Sequence, residues 1–181
     1  ITSGIVCADC ANRPLEIDGI RSVFRFEGTV RQAVLQFKYK NVKVLAAPLA
    51  ALMEEYLRGH PLPAAALVPV PLHPRRLRER GYNQSLLLAR ELSRLAALPI
   101  AERTLVRLKN TPAQTRTHSA HERQRNTAGA FACRDRLLRG RQVLLIDDVC
   151  TSGATLSACA HALKAGGAKS VWGLTLARET W

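Results

Sequence analysis

The most informative segment of this 181-residue chain is Val143-Leu-Leu-Ile-Asp147-Asp148-Val-Cys-Thr151-Ser-Gly153-Ala-Thr155. Four consecutive apolar residues before a pair of acids are typical of a buried β-strand, and residues 156–164 have the pattern of a helix. Small residues join the two. The segment therefore predicts a strand–loop–helix unit with both acids at the carboxyl end of the strand.

The loop of this unit predicts a phosphate site. A strand that enters a helix through Thr-Ser-Gly-Ala-Thr directs consecutive backbone N–H groups into one concavity, beside the positive end of the helix dipole. The glycine lets the chain turn and lets an oxygen approach the backbone, and the hydroxyl groups can donate further hydrogen bonds. We expect a phosphate to contact Thr151, Ser152, Gly153, Ala154 and Thr155.

The two acids predict an adjoining sugar contact. Asp147 and Asp148 can accept hydrogen bonds from vicinal hydroxyls, or hold Mg²⁺ directly or through its waters. The chain contains neither Gly-x-x-x-x-Gly-Lys-Ser/Thr nor Gly-x-Gly-x-x-Gly, so it lacks the usual nucleoside-triphosphate and dinucleotide loops. The alternative that the pattern leaves open is an ordinary strand–loop–helix unit with an acidic edge.

This combination of apolar strand, acid pair and Thr-x-Gly-x-Thr turn resembles the signature of the type I phosphoribosyltransferases. The resemblance implies that the chain binds phosphoribosyl pyrophosphate together with Mg²⁺. Asp147 and Asp148 would then have catalytic and ribose-binding roles, and the loop would hold the 5′-phosphate. The acceptor of a transferred phosphoribosyl group is not identified by any motif.

Other elements of the chain predict the fold class. Alternating strands and helices imply an α/β fold with a mainly parallel sheet flanked by helices. The predicted strands are residues 21–26, 64–70, 103–108 and 170–177, in addition to the central one. The predicted helices are one with Thr29 as N-cap and two spanning residues 44–57 and 83–95. Residues 110–117 are polar and predict a flap.

A basic segment follows the second predicted strand. Prolines fix the exit of that strand, and arginines crowd what we interpret as a loop at the carboxyl edge of the sheet, where α/β sheets hold ligands. A pyrophosphate would suit this loop, with Arg80 stabilising the leaving group and Pro71, Leu72 and Arg75 binding it. Arg107 or Arg116 could reach it from the flap. The alternative is a basic turn before the next helix.

The charge is concentrated in the middle of the chain. The formal net charge is +13, and residues 73–141 hold sixteen of the 27 Lys and Arg residues but only five of the 14 Asp and Glu residues. Arginine suits bidentate contact with phosphate oxygens, so this region fits a polyanionic small molecule, nucleic acid, or both. A solvated basic surface is the simpler alternative.

Cys7 and Cys10 have the C-x-x-C spacing of half a structural zinc site. We interpret residues 1–20 as a partial zinc-ribbon segment and residues 21–181 as a phosphoribosyltransferase-like domain. Since Ile1 is not a start methionine, we expect the other cysteine pair to precede it, and Zn²⁺ to bind only if the four-cysteine finger is complete. The alternative is that the spacing of Cys7 and Cys10 is coincidental.

The sequence predicts that the protein is cytoplasmic. It contains no apolar run long enough to span a membrane and no signal peptide at its start. Five cysteines in such a chain favour reduced thiols over a disulfide framework.

Several motifs together resemble the ComF family: Cys7-Ala-Asp-Cys10, Phe26-Glu-Gly28, Phe37-Lys-Tyr39, Val68-Pro-Val-Pro71, Arg80-Gly-Tyr-Asn-Gln84, Glu122-Arg-Gln-Arg-Asn126 and the acid-pair loop. This resemblance implies a role in DNA uptake during natural competence, with single-stranded DNA and competence-machinery proteins as partners. Two hypotheses follow: a phosphoribosyltransferase, or a non-catalytic DNA-binding protein whose sugar-phosphate pocket is vestigial or sensory. The candidate nucleic-acid contacts are Arg76, Arg78, Arg107, Arg116, Arg123 and Arg125.

Overall fold

The computed structural model describes residues 15–110, 127 and 129–179. The strands are β1 (Gly19–Arg25), β2 (Ala66–Pro69), β3 (Leu105–Arg107), β4 (Phe131–Cys133), β5 (Gln142–Cys150) and β6 (Ser170–Arg178). The α-helices are α1 (Gly28–Tyr39), α2 (Ala46–Gly59), α3 (Pro74–Arg80), α4 (Gln84–Ala96) and α5 (Ala154–Ala165), and a 3₁₀ turn (Lys43–Leu45) precedes α2.

Four strands form a parallel sheet in the order β1-β6-β5-β2. A backbone bridge between Leu67 and Ile100 extends the β2 edge by one residue. Strands β3 and β4 form a separate antiparallel pair. The predicted parallel sheet flanked by helices is therefore confirmed, and β5, α5 and β6 form the expected strand–helix–strand unit.

The central strand β5 is buried on both faces, as parallel strands between helical layers usually are. Successive side chains point to opposite faces. Val143 and Leu145 belong to the apolar cluster that includes the inner face of α5, whereas Leu144 and Ile146 belong to the cluster formed with α1, α2 and α4. All four side chains are fully buried. This two-sided burial fixes the position of the strand end that carries the acids.

Strand β5 is longer than predicted. The prediction ended the strand before the acid pair, but β6 continues to pair with β5 as far as Cys150, and Asp147 lies opposite Thr175. Pairing with β2 stops at Pro69 and Ile146. Strand β6 therefore pairs with the backbone of the acids on one side, and β2 does not pair with them on the other.

The basic segment is a helix, not the loop predicted. His73 Nδ1 accepts a hydrogen bond from the Arg75 backbone N–H at 3.2 Å, Pro74 occupies the first turn, and Gly81 ends α3 with a φ of 82°. Proline at the start and glycine after the end are established helix-terminating signals. They outweighed the arginine content on which the loop interpretation rested.

Smaller differences concern helix and strand boundaries. Helix α1 begins at Gly28 with Glu27 as its N-cap, so the assignment of Thr29 as N-cap was wrong. Strand β4 was not predicted, because its three residues follow a small-residue turn.

Residues 15–20 pack on the sheet: Ile17 is buried in the core, and the Asp18 carboxylate accepts a hydrogen bond from Val171 N–H.

Part of the predicted organisation lies outside the described residues. This applies to Cys7 and Cys10, to the flap at residues 111–117 and to the segment 122–126. In the described part of the chain, none of the helices has the length and apolar composition that a membrane crossing requires.

Packing at the edge strand gives the first testable prediction. A Cβ added at Gly19 would lie 2.3 Å from Cζ3 of the Trp172 ring, so Gly19→Ala must displace the indole. We expect this overpacking to lower the free energy of unfolding by about 1–3 kcal/mol, measured by chemical denaturation. Gly59→Ala is the matched control because a Cβ there meets nothing within 4 Å. Equal stability of both variants would contradict the close contact.

Candidate functional site

The turn between β5 and α5 passes through a glycine directly into the first turn of a helix, as the sequence predicted. Gly153 is the N-cap of α5 with a φ of 77°, and a Cβ at this position would lie 3.2 Å from Ile20 Cδ1. Glycine is needed here both for its conformation and for space. No side chain of the described residues caps α5 with a good hydrogen bond; Ser152 Oγ is 3.5 Å from Ala154 N. The first-turn amides remain available to an anion.

Asp148 is held by contacts from two helices. Lys38 Nζ, on α1, lies 3.0 Å from Asp148 Oδ1, and Gln84 Nε2, on α4, lies 3.3 Å from Oδ2. The Val149 backbone N–H also donates to Oδ1, at 2.7 Å. The Asp148 side chain is only 7% exposed, against 20% for Lys38. These partners satisfy the hydrogen-bonding and charge requirements of a carboxylate that is almost fully buried.

Asp147 is held less completely. Its Oδ1 accepts hydrogen bonds from Ser85 Oγ at 2.8 Å and from the Asp148 backbone N–H at 2.9 Å. Its Oδ2 forms no hydrogen bond within the described residues. Burial, and then the neighbouring Asp148 charge, raise the pKa of Asp147 to about 7, although Lys38 and Ser85 oppose the shift. Asp147 is therefore the acid with both an unused oxygen and a proton that titrates near neutrality.

The Gly-Tyr-Asn-Gln motif connects this acid pair to the surrounding elements. The Tyr82 hydroxyl donates to the Phe37 carbonyl on α1. The Asn83 side chain caps α4 by accepting from Ser85 N–H at 3.1 Å, and its amide donates to the Val70 carbonyl at 3.0 Å. Gln84 then reaches Asp148. The motif thus joins α1, β2 and α4 around the end of β5.

The pKa of Lys38 reports the same network. Burial lowers the pKa of this ammonium group, but attraction to Asp148 and Asp147 outweighs burial and leaves the pKa above its usual value. Lys38 was not among the site residues predicted from the sequence. Its contact with the acid pair was missed, as were those of Gln84 and Ser85.

The charge of Arg107 interacts with that of Asp147. Burial lowers its pKa, and Arg76 lowers it further, whereas Asp147 raises it. The guanidinium lies 5.4 Å from the centre of the Phe131 ring and its Nε donates to the Lys109 carbonyl. Arg107 is therefore a half-buried cation at the site edge rather than an exposed surface charge.

The other predicted arginines lie elsewhere on the molecule. Arg75 Nε pairs with Glu79 Oε1 at 3.0 Å, with both side chains largely exposed. Arg78 is exposed on α3, and the Arg80 guanidinium lies 5.4 Å from the centre of the Tyr39 ring. The candidates Arg116, Arg123, Arg125, Cys7 and Cys10 lie outside the described residues.

The donor set at the acid pair fits Mg²⁺ only in a limited way. Among the residues that the structure describes, no group of three or more His, Cys, Asp or Glu side chains is placed to bind a metal ion. Mg²⁺ characteristically takes one or two carboxylates and completes its shell with water and substrate oxygens. Asp147 could supply one such ligand, and the substrate would have to supply others.

The sequence of this chain is similar to those of known proteins. Residues 83–179 match the family described as phosphoribosyl transferase domain. Competence protein F of Haemophilus influenzae is 32% identical over 94% of this chain and 78% of its own. The DNA utilization protein YhgH of Salmonella typhi is 33% identical over 91% of this chain and 74% of its own. Competence protein ComFC of Bacillus subtilis is 30% identical over 96% of this chain and 72% of its own.

The raised pKa of Asp147 predicts a pH-dependent stability. Between the ordinary value of 3.8 and the folded value of about 7, the folded protein binds this proton more tightly than the unfolded chain. Stability should therefore fall as the pH rises through that interval. Asp147→Asn should remove this part of the fall and be more stable than the parent at pH 8, measured by denaturation in the presence of a chelator.

Glu55→Gln is the control for the loss of one carboxylate, because Glu55 is exposed on α2. It should follow the parent profile at every pH. An Asp147→Asn variant whose stability tracked the parent from pH 4 to pH 8 would show that Asp147 is not protonated in the folded state.

Proposed function

Because the chain belongs to the ComF family of competence and DNA-utilisation proteins and carries a phosphoribosyltransferase domain, we propose that it binds phosphoribosyl pyrophosphate at the carboxyl edge of the sheet. One observation carries the proposal. An α5 terminus without a side-chain cap lies next to a carboxylate that has an unused oxygen. A 5-phosphorylated ribose presents a phosphate and vicinal hydroxyls, the two kinds of group that such a terminus and such a carboxylate bind.

We assign the 5′-phosphate to the turn. The backbone amides of Gly153, Ala154 and Thr155 would donate to its oxygens, together with the hydroxyls of Thr151, Ser152 and Thr155. The positive end of the α5 dipole favours a dianion at this position. Ile20 packs beneath Gly153, so the turn is supported from below and does not need to form anew when the ligand binds.

We assign the ribose hydroxyls mainly to Asp147. Both oxygens of Asp148 already have partners, so Asp148 would act by holding Lys38 and by setting the charge of its neighbour. Asp147 has an unused oxygen, and a hydroxyl that donates to it stabilises the ionised form. Binding of the sugar should therefore lower the pKa of Asp147 and release a proton near neutral pH.

The pyrophosphate would lie on the basic side of the edge. Arg107 is near enough to Asp147 for the two charges to interact, and the chain after β2 brings Pro71 and Leu72 to the same edge. Arg75 is paired with Glu79, so its contribution would require that ion pair to open. When bound, Mg²⁺ would neutralise charge on the departing pyrophosphate.

We further propose that the pocket supports phosphoribosyl transfer. The bond between C1 and the pyrophosphate oxygen breaks, pyrophosphate leaves with the bonding electrons, and a nucleophilic acceptor forms the new bond to C1. Positive charge develops on the sugar in such transition states, and an ionised Asp147 nearby would stabilise it. The sequence predicted that Arg80 stabilises the leaving group; because its guanidinium lies against the Tyr39 ring, we propose instead that it acts on the acceptor side.

Calorimetric titration with phosphoribosyl pyrophosphate and Mg²⁺ tests the pocket. The double variant Ser152→Ala/Thr155→Val removes two hydroxyl donors while nearly preserving shape, and we expect binding at least about tenfold weaker, since hydrogen bonds to charged groups contribute about 1.5–3 kcal/mol each. Asp147→Asn should weaken binding and abolish the proton release. Pyrophosphate release with a panel of acceptors then tests transfer.

Ser93→Ala provides the control, because its hydroxyl donates to the Leu98 carbonyl at the far end of α4. It should bind as the parent does. If Ser152→Ala/Thr155→Val and Asp147→Asn both bind phosphoribosyl pyrophosphate as tightly as the parent, the pocket assignment is wrong. If the parent binds the ligand but releases no pyrophosphate, the pocket is a sensory site without transferase activity.

One further observation favours a second function, the binding of single-stranded DNA. Several arginines of the basic region lie exposed on the described surface: Arg78, Arg94, Arg103, Arg134, Arg136 and Arg139. Two of the similar proteins carry competence names and one a DNA-utilisation name. We therefore propose that this surface binds DNA phosphates during uptake, with or without catalysis in the pocket.

Salt dependence tests the DNA proposal. The affinity for an oligonucleotide should fall steeply between low and physiological salt, because neutralised phosphates release their counterions. Arg78→Gln should weaken binding uniformly across sequences and reduce the slope of log affinity against log salt by about 0.7, the increment for one phosphate contact on a single strand. A salt-independent affinity would contradict a charge-driven contact.

A further inference from the structure

A cavity lies beside the acid pair and apart from the phosphate turn. It encloses about 380 Å³ between the end of α1 and helix α3. The residues that matter for its chemistry are Lys38, Tyr39, Asn41, Arg76, Arg80 and Tyr82. No residue of the 151–155 turn lines it. The cavity is therefore a separate recess whose chemistry can be considered by itself.

Helix α3 directs two of its arginines into this cavity. Arg76 and Arg80 are one helical turn apart and therefore share a face of α3. Arg75 and Glu79, one turn apart on the adjoining face, pair with each other. Glu79 also borders the cavity, but its charge is balanced by Arg75. The wall formed by α3 is consequently positive and suits a phosphate group.

Two aromatic side chains, Tyr39 and Tyr82, also line the cavity. The Arg80 guanidinium lies 5.4 Å from the centre of the Tyr39 ring, and Lys43 Nζ lies 5.1 Å from the centre of the Tyr82 ring. A guanidinium resting on a ring leaves its other face for a nucleobase to stack on. Asn41 has a φ of 57° and adds a side-chain amide, which can pair with the edge of a base.

We infer that this cavity binds one nucleotide unit, with its phosphate on Arg76 and Arg80 and its base between the Arg80–Tyr39 stack and Asn41. The volume of about 380 Å³ lies at the small end of the range of about 300–1,000 Å³ found for ligand pockets, which fits a single nucleotide. The unit could be a free nucleotide or the terminal residue of a single strand, since both offer the same phosphate and base.

Lys38 links this cavity to the acid pair. It lines the cavity, and its Nζ lies 3.0 Å from Asp148 Oδ1. A nucleotide held here would lie one lysine side chain away from the ribose site, where an acceptor should be. The acceptor role rests on the function proposed above; the binding of a nucleotide does not.

Binding should be measured without phosphoribosyl pyrophosphate and without Mg²⁺. The probes are thymidine 5′-monophosphate, a 5′-phosphorylated hexathymidylate and inorganic phosphate. Tyr39→Ala and Arg80→Met each remove one part of the stack, and Tyr39 is 66% exposed, so its loss should not impair folding. Arg58→Met is the matched charge control, because Arg58 is exposed and pairs with Glu54 away from the cavity.

We expect each cavity variant to weaken binding at least about fivefold, as loss of a stacked base contact does, and Arg58→Met to bind like the parent. If the parent protein binds the monophosphate, the ligand is a free nucleotide. If it binds only the hexathymidylate, the ligand is a strand end. Either result supports the inference when both cavity variants no longer bind that probe. The inference is overturned if neither nucleotide probe binds, if the cavity variants bind like the parent, or if inorganic phosphate binds as tightly as the nucleotides.

These outcomes are separate from those of the pocket experiment. A failed titration with phosphoribosyl pyrophosphate would remove the proposed function and leave a nucleotide site. If the parent protein binds phosphoribosyl pyrophosphate but no nucleotide, only this inference is wrong.

Discussion

The buried charge of Asp148 is the constraint around which the site is arranged. It lies in a strand covered on both faces, and an isolated carboxylate there would be strongly unfavourable. Lys38 and Gln84 satisfy it from two different helices. Helices α1 and α4 are consequently fixed relative to the end of β5 by electrostatics as well as by their apolar faces. A rigid sheet edge of this kind can hold a ligand without reorganising.

That arrangement gives the two adjacent acids different properties. Both oxygens of Asp148 have partners, whereas burial and then the neighbouring Asp148 charge raise the pKa of Asp147. Two titratable groups in contact, with environments that push their proton affinities apart, are a frequent mark of a chemical site. Here the difference arises because the two acids have different neighbours. Asp148 contacts the ammonium group of Lys38, whereas Asp147 contacts the Ser85 hydroxyl at the start of α4.

Much of the fold was predictable because its signals are local. The apolar run before Asp147 predicted a doubly buried strand, and the glycine turn before α5 predicted a helix start with exposed amides. The supporting contacts were not predictable, since Lys38 and Asp148 are separated by 110 positions and only the packing of α1 brings them together. Helix α3 was mistaken for a loop because its arginines drew more weight than Pro74 and Gly81. The phosphate and ribose assignments remain predictions.

The support beneath the phosphate turn comes from the segment leading into β1. Ile20 and Leu15 are the side chains closest to the face of Gly153, and Leu15 follows Cys10 by only five positions. A rearrangement upstream of β1 would therefore change the packing behind the turn, and with it the proposed anion site, without contacting the anion itself. Substitutions at Leu15 should resemble pocket mutations in their effects, although this side chain belongs to the rear of the turn.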